Sequence, residues 1–343
     1  MPSRRPCVFL LCACLLGAPL RPAAAAVLEK PRITLAVGGQ TTLYYLPLTI
    51  AERLGYFRDE GLTVEIQDFP GGAKALQALL GGSADVVSGA YEHTIVMQTM
   101  AQKLQAFVLQ GTNPGIALGV SKAKAPSYSW PKDLKGLRVG VSAPGSSTHM
   151  LVNHLLASVG LTPDDVSIVG VGTGPQAVAA MHSGQLDAIS NVDPVMTLLE
   201  RQGLIKIVHE TTTVQGARAV FGGSLPAASL YAKKTFVEDN PSTVQALTNA
   251  MVRALKWLHT ATPEQVAQAV PPEYLLGDRA LYLDAFKRVR LTYSADGVIS
   301  PGAVEQSYQV LLKHNAGVRR APVLFLKDTY TNKFVQNALK KYN

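Results

Sequence analysis

The chain has no cysteine after residue 14: Cys7, Cys12 and Cys14 all stand near its start. Beyond them no disulfide, thiol nucleophile or cysteine-held metal is open to it. The remaining residues must be held by an ordinary apolar core, which a chain of this length supplies. Aromatic residues make up only 7%. Basic residues form no stripe interleaved with aromatics, which argues against a nucleic-acid partner. No later segment approaches the roughly 18 apolar residues of a membrane-spanning helix. H-E-x-x-H, the phosphate-binding P-loop and G-x-S-x-G are all missing.

The first 26 residues read as a secretory signal peptide. Arg4 and Arg5 precede an apolar run, Cys7–Leu16, and small residues at Ala23–Ala26 offer a cut after Ala25 or Ala26. Lipid attachment at Cys14 is the alternative. Losing the three arginines of this segment lowers the formal charge from +8 to +5, a mild excess. A periplasmic, exported protein is expected.

Strands alternate with helices from Arg32 onward, which argues for parallel-type sheets. Arg32–Val37, Thr63–Gln67 and Asp85–Ser88 read as strands, with helices over Tyr45–Leu54, Ala73–Leu80 and Tyr91–Ala101. The same grammar restarts at Leu137–Val141, with strands at Val166–Val171 and Asp187–Ser190 and helices at Thr148–Ser158 and Gln176–His182. Lys74–Gly89 even aligns with Gln176–Asn191: Ala75, Ala78, Gly82, Asp85 and Ser88 match Ala177, Ala180, Gly184, Asp187 and Ser190. Two similar α/β lobes are expected. Ile116–Val120 and Ala219–Tyr231, both strand-like, would form a two-strand hinge between them. The division is then 27–118 plus 226–343 for the first lobe, which carries the C-terminal helices, and 119–225 for the second.

Leu137–Leu156 (LRVGVSAPGSSTHMLVNHLL) reads as strand, Gly/Ser/Thr turn and helix. Such a helix start, with unpaired N–H groups and small hydroxyls around it, suits an anionic oxygen. The plainer alternative is that Ser146 or Ser147 only caps its own helix. Gly170-Val171-Gly172-Thr173-Gly174-Pro175 approaches a dinucleotide fingerprint, but Pro175 stands where its third glycine belongs.

GGQTTLYYLPLTIAERLGYFRDEGLTVEI, GGAKALQALLGGSADVV and LKGLRVGVSAPGSSTHMLVNHLLASVGL, in that order, resemble a periplasmic solute-binding protein of an ABC importer. The similar group is the nitrate/sulfonate/taurine (NMT1/THI5-like) family, over roughly residues 32–259. The resemblance implies the type II periplasmic binding fold, a small-molecule ligand clamped between lobes, delivery to a membrane permease, no cofactor and no chemistry on the ligand. A monomer is expected. The alternative within the same resemblance is a thiamine-pyrimidine-related enzyme or a precursor-binding protein. Those enzymes carry a cysteine-rich iron motif, which residues 27–343 lack.

Ligands of open α/β sheets lie beyond the carboxyl ends of the strands. That rule selects Gln40, Thr41, Tyr44 and Tyr45 in the first loop, and Gly71 and Gly72, where backbone can approach closely. It adds Tyr91 and Glu92, then Gly145, Ser146, Ser147 and Thr148, then Thr173, Asn191 and Asp193. Glu92 would pair with an ammonium or hydrogen-bond a heterocycle, or simply sit in a helix's first turn, where the dipole favours it. His149 could add charge if protonated. Asp193-Pro194 also reads as a cap with a first-turn proline. Arg218 is the candidate clamp for a ligand carboxylate.

Overall fold

The computed structural model describes residues 27–321 and 323–342; the signal-peptide and Cys14 expectations lie outside them. The first unit runs β1 (Arg32–Val37), α1 (Leu46–Arg53), α2 (Tyr56–Asp59), β2 (Thr63–Asp68), α3 (Gly72–Gly81), β3 (Val86–Ala90), α4 (Glu92–Gln98) and β4 (Leu104–Leu109). The chain then crosses to β5 (Ile116–Ser121), β6 (Arg138–Val141), α5 (Ser147–Ser158), β7 (Ser167–Gly170), α6 (Pro175–His182), β8 (Ala188–Val192), α7 (Val195–Arg201), β9 (Ile205–Glu210) and α8 (Val214–Phe221). It returns through β10 (Ala228–Lys233) to α9 (Lys234–Asp239), α10 (Pro241–Thr260), α11 (Pro263–Ala269), α12 (Arg279–Val289), α13 (Pro301–His314), α14 (Ala316–Arg320) and α15 (Lys333–Tyr342). None of the helices among the described residues is long and apolar enough to cross a membrane.

Two five-stranded sheets result, in the orders β2-β1-β3-β10-β4 and β7-β6-β8-β5-β9. They are mixed: β1, β2 and β3, and likewise β6, β7 and β8, pair in parallel as expected, while β10 and β5 run antiparallel to both of their neighbours. The crossing explains this. β4 ends at the cleft, so β5 starts there and runs away from it, against strands whose carboxyl ends face the cleft. The return through β10 repeats the geometry in the first lobe. β4 and β9 escaped the sequence reading, although each is six residues long, the length of β1 and β2.

The repeated segments occupy equivalent places, α3–β3 in one lobe and α6–β8 in the other. Their shared residues have shared structural roles. Gly82 and Gly184 follow their helices at φ +80° and +71°, the left-handed conformation a helix end requires. Asp85 accepts the Thr34 N–H at 3.0 Å, and Asp187 accepts the Arg138 N–H at 3.0 Å. Each carboxylate thus holds the first half of the neighbouring strand, β1 or β6, and also pairs with a cation, Lys30 or Arg138.

Ala219–Phe221 close α8 rather than starting a hinge strand, so the second crossing is the stretch 222–227. The crossings are tied side by side: Ala227 N–H donates to Gly111 O at 2.9 Å, and Gln110 N–H to Ala228 O at 2.7 Å. The C-terminal helices divide. α10 packs on α1 and α15, with Leu247, Met251 and Leu255 fully buried, each such side chain contributing about 1.5–3 kcal/mol. α12 and α13 instead reach the second lobe. Arg288 binds Glu200 at 3.1 Å and Glu210 at 2.6 Å, and Gln306 donates to Phe221 O at 2.6 Å.

Candidate functional site

The two lobes meet along a seam of helix starts. Gly71, the N-cap of α3, has no side chain with which to satisfy the first-turn N–H groups. The other lobe supplies the missing acceptor: Ala73 N–H donates to Ser146 Oγ at 2.9 Å. Ser146 stands at the N-cap of α5 yet makes no side-chain cap there. It caps the opposing helix. Around this bond the backbones nearly touch, since a Cβ on Gly71 would fall 2.9 Å from Ala143 Cβ. Leu43 N–H donates to Asp193 O at 2.9 Å, and Thr173 Oγ1 would collide with any Cβ on Gly39.

His93 closes the seam from the first lobe. Its Nε2 lies 3.3 Å from Gly145 O and its Nδ1 3.1 Å from the Tyr231 hydroxyl. A carbonyl only accepts, so Nε2 carries the proton and Nδ1 accepts from Tyr231. The ring is neutral, and burial pushes its pKa down to about 4. His93 did not stand among the selected residues, although its neighbours did. The helix phase decides between them: Tyr91 is fully buried with its hydroxyl on Thr329 Oγ1, inside the first lobe and away from the cleft.

The remaining selected residues separate into three groups. Tyr44, Tyr45, Gly71, Gly72, Glu92, Gly145, Ser146, Ser147, Thr173 and Asp193 lie on the seam or on the cavities beside it. Thr41 faces the outer cleft with Thr173, between Asp68 and the 170–176 turn. Others brace the loops. The Gln40 side chain turns back to Glu52, while Asp68 holds the Gly39 and Gln40 N–H groups. Thr148 binds Ser142, and Asn191 spends its amide on Gly172 O and Val192 N. The Asp193 carboxylate is taken by Thr197 N and Oγ1, the capping role. His149 Nδ1 accepts from Gly145 N–H, and burial lowers its pKa, so it brings no charge. Arg218 is corrected: α8 buries Ala217 and Phe221 and leaves Arg218 exposed to solvent.

Two small cavities flank Pro114 behind the seam. One, about 10 Å³, is lined by Leu43, Tyr44, Asn113, Asp193 and Tyr293. The larger, about 30 Å³, lies between Glu92, Ser147, Met150, Leu151 and Phe221, with α13 as a third wall. No other side chain among the described residues donates a hydrogen bond to Glu92, and burial pushes its pKa up to about 7. The Tyr44 hydroxyl, buried, is likewise unpartnered. No arginine or lysine lines either cavity. The polar equipment is the carboxyl groups of Glu92 and Asp193, the Asn113 amide, hydroxyls and the neutral imidazole of His314.

Two lobes, paired crossings and polar groups gathered where strand ends meet define a two-lobed binding protein of the periplasmic solute-binding fold. Solved periplasmic sulfonate- and nitrate-binding proteins share that fold. A family model described as the NMT1-like family matches residues 27–270, and the chain belongs to that family. It is 25% identical over 230 residues to the taurine-binding periplasmic protein of Escherichia coli, covering 66% of this chain and 67% of that one. It is 24% identical over 277 residues to the 4-amino-5-hydroxymethyl-2-methylpyrimidine phosphate synthase of Schizosaccharomyces pombe, covering 77% and 76%. A solved structure of a Bordetella bronchiseptica protein is 49% identical at TM-score 0.89, covering 92% of this chain and 99% of that one.

Gly71 has φ −174°, extended backbone that any residue adopts, so only the facing lobe forbids a side chain there. Gly71→Leu should therefore keep its far-ultraviolet circular dichroism while its radius of gyration by small-angle scattering exceeds that of the parent. Equal radii for the two proteins would refute the seam. The pH response follows from opposed shifts. His93, lowered from 6.5 to about 4, favours closure above pH 6.5 and loses that contribution as pH falls toward 4. Glu92, raised from 4.5 to about 7, favours closure below pH 4.5 and loses its contribution as pH rises toward 7. The slopes cancel between about pH 4.5 and 6.5. His93→Gln removes one of them, so that variant should expand as pH rises from about 5 to 7. A pH-independent radius in the variant would remove Glu92 from the balance.

Proposed function

We propose that this protein is the periplasmic solute-binding component of an ABC importer, capturing a small polar organic ligand between its lobes for delivery to a membrane permease. In this reading residues 27–118 with 226–343, and residues 119–225, move as two units about the paired crossings. The observation that carries it is the seam: two helix starts from opposite lobes meet through Ala73 and Ser146, beside a cavity lined by Glu92, whose carboxyl has no cation against it. Closing on a ligand is favoured only to the extent that the ligand binds the closed state better than the open one. Family membership and the taurine-binding relative support the same reading.

Glu92 narrows the ligand. A carboxylate with no cation nearby repels a bare anion such as nitrate and suits a group with N–H donors. An ammonium on a zwitterion or the amino group of a heterocycle would supply them. The pyrimidine chemistry in the name of the fission-yeast relative favours a second reading, an amino-pyrimidine bound without being transformed. Both readings use the same contact.

Thermal-shift and calorimetric titrations should discriminate, with taurine, ethanesulfonate, nitrate and 4-amino-5-hydroxymethyl-2-methylpyrimidine as probes. An amino-bearing probe should raise Tm with concentration, by about 2.7 kcal/mol of added stability at a hundredfold excess over Kd. Glu92→Gln should weaken that probe about tenfold or more, the scale of a lost charge-assisted hydrogen bond. If no probe binds while one is converted to product, the protein is an enzyme and the importer reading fails.

A further inference from the structure

The family match stops at residue 270, but the larger cavity does not. Its third wall is α13, which packs against α4 of the first lobe and α5 of the second. Ser307, Val310, Leu311 and His314 face the cavity from this helix. His314 is unusual among them. Both of its ring nitrogens are buried, and no side chain among the described residues hydrogen-bonds either; the nearest polar partner is the Val310 carbonyl one turn back on the same helix. Its ring lies 6.0 Å from that of His154, whose Nε2 is committed to Val220 O at 2.8 Å. Burial and the neighbouring His154, Arg319 and His149 keep it neutral, with a pKa pushed down to about 4. A neutral imidazole holds one donor and one acceptor, and buried polar groups are seldom left without partners. Between His314 and Glu92 the lining is apolar, with Met150, Leu151 and Phe221 prominent.

We propose that α13 reads the ligand, with His314 hydrogen-bonding a second polar group of the molecule whose N–H donors meet Glu92. The inference rests on the importer reading of the cleft and goes further by defining the ligand's shape. The class is a small organic molecule with two separate polar groups on an apolar frame: N–H donors, and a neutral hydroxyl, carbonyl or ring nitrogen. A compact inorganic anion offers neither the frame nor the donors. The cavity is about 30 Å³ with the lobes closed, room for a water or two, so such a ligand enlarges it as it binds. Met150, unbranched and adaptable, is the side chain best able to yield.

The test compares 4-amino-5-hydroxymethyl-2-methylpyrimidine with 4-amino-2,5-dimethylpyrimidine, which keeps the N–H donors and lacks the hydroxyl. Calorimetry is run on the parent, His314→Leu, His314→Gln and the exposed-site control Lys313→Ala, each first shown to keep the parent's circular dichroism. The parent and the control should bind the hydroxymethyl compound at least tenfold more tightly than the dimethyl one. His314→Leu should erase that preference without changing the dimethyl Kd, and His314→Gln should restore most of it. Equal loss for both compounds in His314→Leu means a packing role and overturns the inference, as does a preference that survives in that variant. Binding of taurine or ethanesulfonate but of neither pyrimidine overturns it while leaving the importer reading intact. No binding of any probe counts against both.

Discussion

The hydrogen bond from Ala73 N–H to Ser146 Oγ couples closure of the lobes to the capping of a helix. α3 begins at a glycine pair and has no side-chain acceptor of its own for its first-turn N–H groups. A cap of this kind is worth about 0.5–2 kcal/mol, and here it exists only with the lobes together. The bare backbone at Gly71 is what allows the approach, because its space is filled by Ser142 and Ala143. The same two glycines thus remove one cap and admit another. Everything behind the seam depends on that fit, including the burial of Glu92 and His93.

Those two neighbours are shifted in opposite directions by the same desolvation, the acid upward and the base downward. Between about pH 4.5 and 6.5, closing therefore replaces a separated pair of charges with two neutral groups. Such a site stores no electrostatic attraction for a simple anion. A ligand bearing N–H donors can draw Glu92 back toward its ionised form, which turns the cost of burying that carboxyl into selectivity. Asp193, also buried, does not compete for this role, because Thr197 already occupies it.

Much of this was legible in the sequence because the relevant signals are local. The βα alternation, the Gly-Gly at residues 71–72 and the Gly-Ser-Ser-Thr turn each state a backbone geometry. The internal repeat was readable too, and its aspartates and glycines turn out to hold neighbouring strands and close helices. Direction was less legible. Tyr91, Glu92 and His93 are adjacent, yet one anchors the interior of the first lobe, one lines the cavity and one bridges the lobes. Arg218 lies on the exposed side of α8, next in sequence to the buried Ala217. The antiparallel β5 and β10 follow from the crossing, which is a property of the whole chain and of no short window. His314 had no sequence signal, since its place depends on a C-terminal helix returning across both lobes.

The central claim is that the ligand site exists only between closed lobes. Because every cysteine precedes residue 15, spin labels can be placed cleanly in a chain that starts at residue 27. Gln77→Cys on α3 and Ala179→Cys on α6, both exposed, report one on each lobe. Pulsed electron–electron resonance should show a longer-distance component without ligand that collapses to a single shorter distance at saturation. One distance, unchanged by a ligand that calorimetry shows to be bound, would contradict the account.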